Sequence, residues 1–248
     1  MPVVPEPKPA IIVTGGAHGI GRATCLRAIE QGFTPIVFDL DEPDFETCWY
    51  EVDIADFSAV TIAVKRAWSE HKTIGLVNNA GVVHRGSLME TTPSDFMDVL
   101  RINVGGAYAV LHEISQHWIH NKIAGNAVNV TSAHAVLAQR NRAAYAASKA
   151  GLESLTRSAA LELGAYGIGV FGLAAGYTQT EEGRTRLVGE RAAAAGRRVP
   201  LGRVVVADEV AMALVDLVTG RYPAMTGQIM RLDGGWAASD VSLEDLKI

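Results

Sequence analysis

Tyr145 and Lys149 stand four residues apart in the run AAYAASKAG, and Ser132 lies thirteen residues before the tyrosine. A spacing of four on an α-helix turns through about 400°, so the phenol and the ammonium share one face. A phenol with an ordinary pKa near 10 is a weak base at neutral pH, and a neighbouring cation favours its phenolate. The same ammonium can hold a ribose hydroxyl, and the Ser132 hydroxyl can bind the oxygen of a reacting carbinol. Together they suit removal of a proton from an alcohol while a hydride leaves to a redox cofactor. The plain alternative is an amphipathic helix with a half-buried tyrosine and a surface lysine.

For these side chains to meet, separate elements must carry them to one place. AIIVT (10–14), PIVFD (35–39), CWYEV (48–52), IGLVNN (74–79), NAVNVT (126–131), GVFGLA (169–174) and QIMRLD (228–233) read as strands. Helices are expected near 20–31, 56–71, 94–121, 142–164, 180–195 and 207–219. Apolar runs that hardly alternate suit strands buried on both faces, as in a parallel sheet covered by helices. The alternation predicts an α/β fold: a Rossmann-type, doubly wound parallel sheet of about seven strands with helices on both faces. Ligands on that architecture bind beyond the carboxyl ends of the strands, the edge at which Ser132 follows the fifth strand.

The 248 residues carry a net charge of −5, with 48% hydrophobic and 20% charged residues, an ordinary balance for a folded chain with a sizeable core. No long Lys/Arg run is present to meet phosphates, so a nucleic-acid partner is not expected. No apolar run approaches the ~20 residues of a membrane span, and the proline-rich start lacks the pattern of a secretory signal. Cys25 and Cys48 are too few for a disulfide framework and suit a reducing compartment, so a cytoplasmic location is expected.

The first strand runs into TGGAHGIG, where Thr14, Gly15, Gly19, Ile20 and Gly21 occupy the turn into the first helix. Glycines there let the backbone turn tightly and approach a pyrophosphate at the helix N-terminus. The spacing is G-x-x-x-G-x-G rather than G-x-G-x-x-G, and a tight structural turn remains the plain alternative. The second strand ends in Asp39, followed by Leu40. A carboxylate there accepts from the adenosine ribose hydroxyls of NAD and repels the 2′-phosphate of NADP, by roughly 1 to 4 kcal/mol at contact. DLDEPD offers that phosphate no Lys or Arg, although Arg22 in the loop is a candidate substitute. NAD is therefore the expected cofactor. One dinucleotide-binding catalytic domain is expected over 1–248, with 1–9 a loose lead-in and 237–248 a tail.

With these residues in view, the chain resembles the short-chain dehydrogenase/reductase family from Ile11 to about Trp236. TGGAHGIG matches that family's cofactor loop, NNAG (78–81) its motif after the fourth strand, and Ser132 with Tyr145 and Lys149 its serine and Y-x-x-x-K pair. Asn103, in INVGGA, aligns with the family's catalytic asparagine, and VDI (52–54) with the segment over the adenine, which brings in Asp53 and Ile54. The resemblance implies that Tyr145 is the acid/base, that Lys149 lowers its pKa and binds ribose, and that Ser132 positions the reacting oxygen. It further implies that Asn103 supports a proton-relaying water and that Asn79, Ala80 and Gly81 shape the cofactor groove. After the sixth strand, Phe171 and Ala175 stand where the family usually has Asn and Pro. Gly176, Thr178 and Thr180 remain to meet the carboxamide and diphosphate. Losing the proline frees one backbone dihedral, so a more mobile loop and altered cofactor affinity are expected. Members are commonly tetramers, which implies a homotetramer here.

The histidines do not assemble a metal site. His112 and His117 lie about 140° apart around a helix, and His117 with His120 lacks a carboxylate or thiol to complete a set. They are expected to coat a long helix, and no metal is expected. His18 is open to polar packing or phosphate contact. His84 and His134 border the substrate motifs, and contact with substrate or an exposed position both stay open for each. Arg140 and Tyr177 are further substrate candidates, while Arg142 is equally compatible with solvent. The polar, partly basic stretch after Ser132 favours a small hydroxylated or carboxylated substrate: a sugar, polyol or cyclic hydroxy acid. Glu181, Glu182, Arg184 and Arg186 fall in a lid expected to close over it, and the tail either crosses into a neighbouring subunit or stays disordered. Three activities follow: an NAD-dependent alcohol dehydrogenase, an NADPH-dependent 3-oxoacyl-thioester reductase, which Asp39 disfavours, or a non-catalytic nucleotide sensor, which has no need of a tuned phenol.

Overall fold

Every side chain of β1 (Ala10–Thr14) is buried. Ala10 and Ile12 enter one layer of the core, Ile11 and Val13 the other, as the two-residue period of a strand requires. A strand covered on both faces has no use for polar alternation, which explains its unbroken apolar sequence. The structure is a computed structural model that describes residues 8–180, 187 and 189–238.

The further strands are β2 (Thr34–Asp39), β3 (Cys48–Glu51), β4 (Thr73–Asn78), β5 (Asn126–Ser132), β6 (Gly169–Ala175), β7 (Thr178–Gln179), β8 (Val205–Val206) and β9 (Ile229–Leu232). Six of them join β1 in a seven-stranded parallel sheet of order β3-β2-β1-β4-β5-β6-β9, while β7 and β8 pair separately. The helices are α1 (Gly19–Glu30), α2 (Phe57–Glu70), α3 (Pro93–Leu100), α4 (Ala107–Asn121), α5 (Ala143–Leu163), α6 (Glu190–Gly196) and α7 (Ala207–Val218). Residues of α1 and α7 pack with Ile11, Val13 and Val37 on one face. On the other face, α2, α4 and α5 pack with Ile12, Ile36 and Phe38. The sheet is thus doubly wound. Strand order reverses between β1 and β4, and the crevice at their carboxyl ends is where such a sheet binds ligands.

The helix expected over 94–121 is interrupted. A Thr92–Asp95 capping box starts α3, and a six-residue π-helical turn, Arg101–Gly106, joins it to α4. A Cβ on Gly106 would lie 2.7 Å from the Ile54 side chain, so the wide turn needs glycine to pass that close. Between β2 and β3 no helix forms, in line with the shortness of that segment. Of the helix expected over 180–195, α6 begins only at Glu190. The proposed lid residues Glu181, Glu182, Arg184 and Arg186 lie outside the described residues, as do the first seven residues and 239–248 of the tail. Both cysteines are free, and among the described residues no helix is long and apolar enough to cross a membrane.

Candidate active site

The glycine loop is tied to the end of β4. Thr14 Oγ1 accepts from the backbone N–H groups of Asn79 and Ala80, both at 3.0 Å. Asn79 Nδ2 in turn donates to the carbonyls of Thr14 (3.1 Å) and Gly15 (2.9 Å). Gly15 and Gly19 take φ values of +64° and +53°, the left-handed region that favours glycine. A Cβ on Gly21 would lie 1.9 Å from the Gly15 carbonyl oxygen, so α1 sits against the turn and aims its N-terminus over it. Asp39, at the tip of β2, accepts from Ala17 N (2.9 Å) and Asp41 N (3.2 Å), which fixes its carboxylate beside the loop. Arg22 makes a bidentate pair with Asp44, at 2.8 and 3.2 Å, and this guanidinium holds the Asp44 carboxyl below its usual range.

The residues aligned with the adenine segment differ among themselves. Asp53 is exposed and caps its own turn by accepting from Ala55 N, and Leu40 is also exposed. Ile54 is buried, its side chain turned into the core against Gly106. Only its backbone remains to meet a ligand.

Ser132 ends β5, and Tyr145 and Lys149 occupy the first turns of α5. All three line one cavity of about 610 Å³, together with Ile20, Asn79, Gly81, Ala175, Gly176, Tyr177 and Thr178. Lys149 is buried, donates to Val130 O at 2.8 Å and lies 5.8 Å from the Tyr145 ring centre. Burial lowers its pKa to about 8. Burial raises the Tyr145 pKa, while hydrogen bonding to Ser132 and the positive charge of Arg142 pull it back. Arg142, which the sequence left equally compatible with solvent, is thus a cation acting on the phenol.

Asn103 sits in the π-helical turn. Its side chain accepts from Val82 N at 2.8 Å and donates to Val82 O and Ser148 Oγ, both at 2.9 Å. The amide therefore braces the strand-four loop against α5. Thr178 is buried and donates to Gly176 O at 3.1 Å, and Thr180 packs beside Gly19.

Among the substrate candidates, His134 and Tyr177 line the cavity. His134 meets the rings of Tyr145 and Trp236 edge-on at 6.1 and 5.3 Å, and Trp236 stacks on Tyr177 at 4.2 Å. Burial lowers the His134 pKa, keeping the ring neutral at neutral pH. His84 and Arg140, the other two substrate candidates, do not line this cavity. His84 lies against Gly86, and Arg140 is exposed on a separate depression with Ala138 and Asn141. In their place Arg85, Arg142 and Arg191 line the cavity. For Arg142 a signal existed: three residues before Tyr145 puts it on the phenol's side of the helix.

The helix histidines have ring partners, His112 with Tyr108 and His117 with Trp68. Cys48, Glu70 and His71 bring ligand-type atoms within 4.8 Å of one another, a grouping absent from the sequence reading. It lies at the amino-terminal edge of the sheet, opposite the cavity, and its Glu70 is already engaged by Tyr50 and Arg66.

The cavity fits a nicotinamide dinucleotide. A Cβ on Gly81 would stand 2.9 Å from Asn103 Oδ1 and 3.7 Å from Lys149 Nζ, so glycine keeps that floor open. An ammonium carries three donors, and Lys149 has others besides the one given to Val130 for ribose hydroxyls.

A family profile described as enoyl-(acyl carrier protein) reductase matches residues 15–237. An uncharacterised short-chain type dehydrogenase/reductase of Sinorhizobium fredii is 35% identical over 93% of this chain, which spans 44% of that relative's length. The cis-4-hydroxycyclohexanecarboxylate dehydrogenase of Sinomonas cyclohexanicum is 32% identical over 92% of this chain and 96% of its own. A gluconate 5-dehydrogenase from Burkholderia cenocepacia, solved in complex with NADP and tartrate, superposes with a TM-score of 0.85 at 28% identity, covering 94% of this chain and 96% of that one. The chain belongs to the short-chain dehydrogenase/reductase family. It is an oxidoreductase of CH–OH groups in a family that works with a nicotinamide cofactor.

Proposed function

We propose that the protein is an NAD-dependent dehydrogenase that interconverts a secondary alcohol and a ketone, or a lactol and a lactone. Its substrate is a small polar molecule: a sugar, polyol or cyclic hydroxy acid. The observation that carries this reading is the convergence of Ser132, Tyr145 and Lys149 on one cavity whose far side is polar and basic.

The dinucleotide, when bound, supplies the hydride acceptor for oxidation. Ser132 donates to the carbinol oxygen and holds it beside the phenol. Tyr145 takes the hydroxyl proton at its Oη, and in reduction returns it. Lys149, with a pKa of about 8, positions the ribose and can exchange a proton with solvent near neutrality. Asn103 keeps the loop at Val82 in register with α5, so that Gly81 and Lys149 hold their spacing.

NAD is favoured because Asp39 presents a carboxylate at the ribose end and Arg22, the candidate ligand for a 2′-phosphate, is paired with Asp44. A 29% identity over 90% of this chain to a 3-oxoacyl-[acyl-carrier-protein] reductase of Thermotoga maritima favours a second reading, a 3-oxoacyl-thioester reductase using NADPH. The acidic ribose end counts against it. Assembly as a homotetramer belongs to the same proposal, and exposed apolar side chains such as Leu161 and Tyr108 are consistent with covered helix faces; light scattering tests it.

The deciding experiment follows NADH absorbance during NAD⁺ reduction over a panel of sugars, polyols and cyclic hydroxy acids, with NADP⁺ and Tyr145→Phe run alongside. Turnover on one class with NAD⁺, abolished in Tyr145→Phe, is the expected result. Faster turnover with NADP⁺, or activity only on acyl thioesters, would replace the reading.

A further inference from the structure

Arg142 occupies an unfavourable position as it stands. Its Nη1 is shut off from solvent and has no hydrogen-bond partner. A buried guanidinium N–H left unpaired costs more than an ordinary lost hydrogen bond, because the group is charged. Burial and the positive charge of Arg85 both lower the Arg142 pKa, so two like charges share one region of the cavity.

Among the described residues lining the cavity, no carboxylate relieves them. The cavity lining among the described residues includes Arg85, Arg142, Arg191 and Lys149 but no Asp or Glu. Arg198 adds a further cation at the rim, reaching Tyr177 Oη at 3.4 Å. Elsewhere the chain pairs its arginines readily, as in Arg22–Asp44, Arg66–Glu70 and Arg203–Glu209. The N-terminal end of α5, a 21-residue helix whose N-cap is Arg142 itself, adds partial positive charge at the same spot.

From this we infer that the substrate is a carboxylic acid, its carboxylate seated on Arg142 with Arg85 alongside and its carbinol at Ser132 and Tyr145. The inference rests on the dehydrogenase reading and narrows it to hydroxycarboxylates. A planar guanidinium offers two parallel N–H donors to a carboxylate, which neutral sugars and polyols cannot exploit. Arg142 lies one turn before Tyr145, and neighbouring side chains at that spacing are about 5–6 Å apart at Cβ. Acid and carbinol are therefore separated by a few bonds, and Tyr177, stacked on Trp236, lines the same cavity.

The test uses the whole protein loaded with NADH. The probes are cyclohexanecarboxylate against cyclohexanecarboxamide, and tartrate against threitol, titrated by calorimetry at low salt. At least one acid is expected to bind about tenfold or more tightly than its neutral partner. Arg142→Gln should erase that margin and Arg142→Lys should recover part of it, with NADH affinity retained in both as evidence of an intact fold. If neither acid exceeds its neutral partner, or if Arg142→Gln keeps the margin, the assignment is overturned. The two readings fail separately. Tyr145-dependent turnover of neutral alcohols without an acid margin would leave the dehydrogenase standing and remove the carboxylate seat. An acid margin with no Tyr145-dependent NAD⁺ reduction would leave the seat and remove the dehydrogenase.

Discussion

Lys149 Nζ donates to the backbone carbonyl of Val130 at 2.8 Å while standing 5.8 Å from the ring centre of Tyr145. The lysine is thus anchored to the strand that ends in Ser132, and strand and helix are locked together at the point where the reaction occurs. Its burial disfavours the charged form.

That cost has a pH signature. Burial lowers the Lys149 pKa from 10.5 to about 8, so between those values the unfolded chain binds more protons than the folded one. The penalty is fully present below pH 8 and is relieved as pH rises toward 10.5. Its size is on the order of 3 kcal/mol. Lys149→Met is expected to melt higher than the wild type at pH 7, with the difference shrinking as pH rises. Turnover should fall by about 100-fold or more, since the ribose loses its cation and the tie between β5 and α5 is cut. Thermal melts across pH, beside initial rates, check both halves.

Oxidation needs the phenolate, and burial raises the Tyr145 pKa, so oxidation rates should climb with pH through that group. Arg142 opposes the rise. Arg142→Gln should therefore move the acid limb of kcat/KM to higher pH. A neutral alcohol as substrate keeps carboxylate binding out of the measurement.

On the NAD reading, Asp39 would favour that cofactor by its charge at the ribose and Asp44 by holding Arg22. Asp39→Ser is expected to raise kcat/KM for NADP⁺ relative to NAD⁺ by about tenfold, in keeping with removal of roughly 1–2 kcal/mol of repulsion. Adding Asp44→Ala removes the bidentate partner of Arg22 and should raise the ratio further. Paired kinetics with the two cofactors would show whether the second change adds to the first.

Gly21→Ala puts a Cβ 1.9 Å from the Gly15 carbonyl, where only backbone can yield. NADH affinity should drop by about 100-fold and the melting temperature should fall with it. Gly164→Ala serves as the control, because a Cβ there meets nothing within 4 Å and φ is −58°. That variant should bind NADH normally and melt at or slightly above the wild type.

Much of this site was readable before any fold existed. Ser132, Tyr145, Lys149 and the glycines of TGGAHGIG announce themselves because their chemistry depends on local periodicity: one helix face, one strand end, one tight turn. The same holds for the strands, whose burial on both faces leaves an apolar run in the chain itself. Contacts between distant segments carry no such mark. Arg140 and Arg142 look alike in QRNR, yet the turn into α5 leaves one exposed and closes the other inside the cavity. The π-helical turn at Asn103 arises where Gly106 passes Ile54, and the aromatic run from Tyr145 through His134 and Trp236 to Tyr177 joins three separate segments. The sequence by itself determined the class of chemistry, since a helix or strand places its own residues. Tertiary structure alone decided which charges face the substrate, because that depends on what the remainder of the chain packs over them.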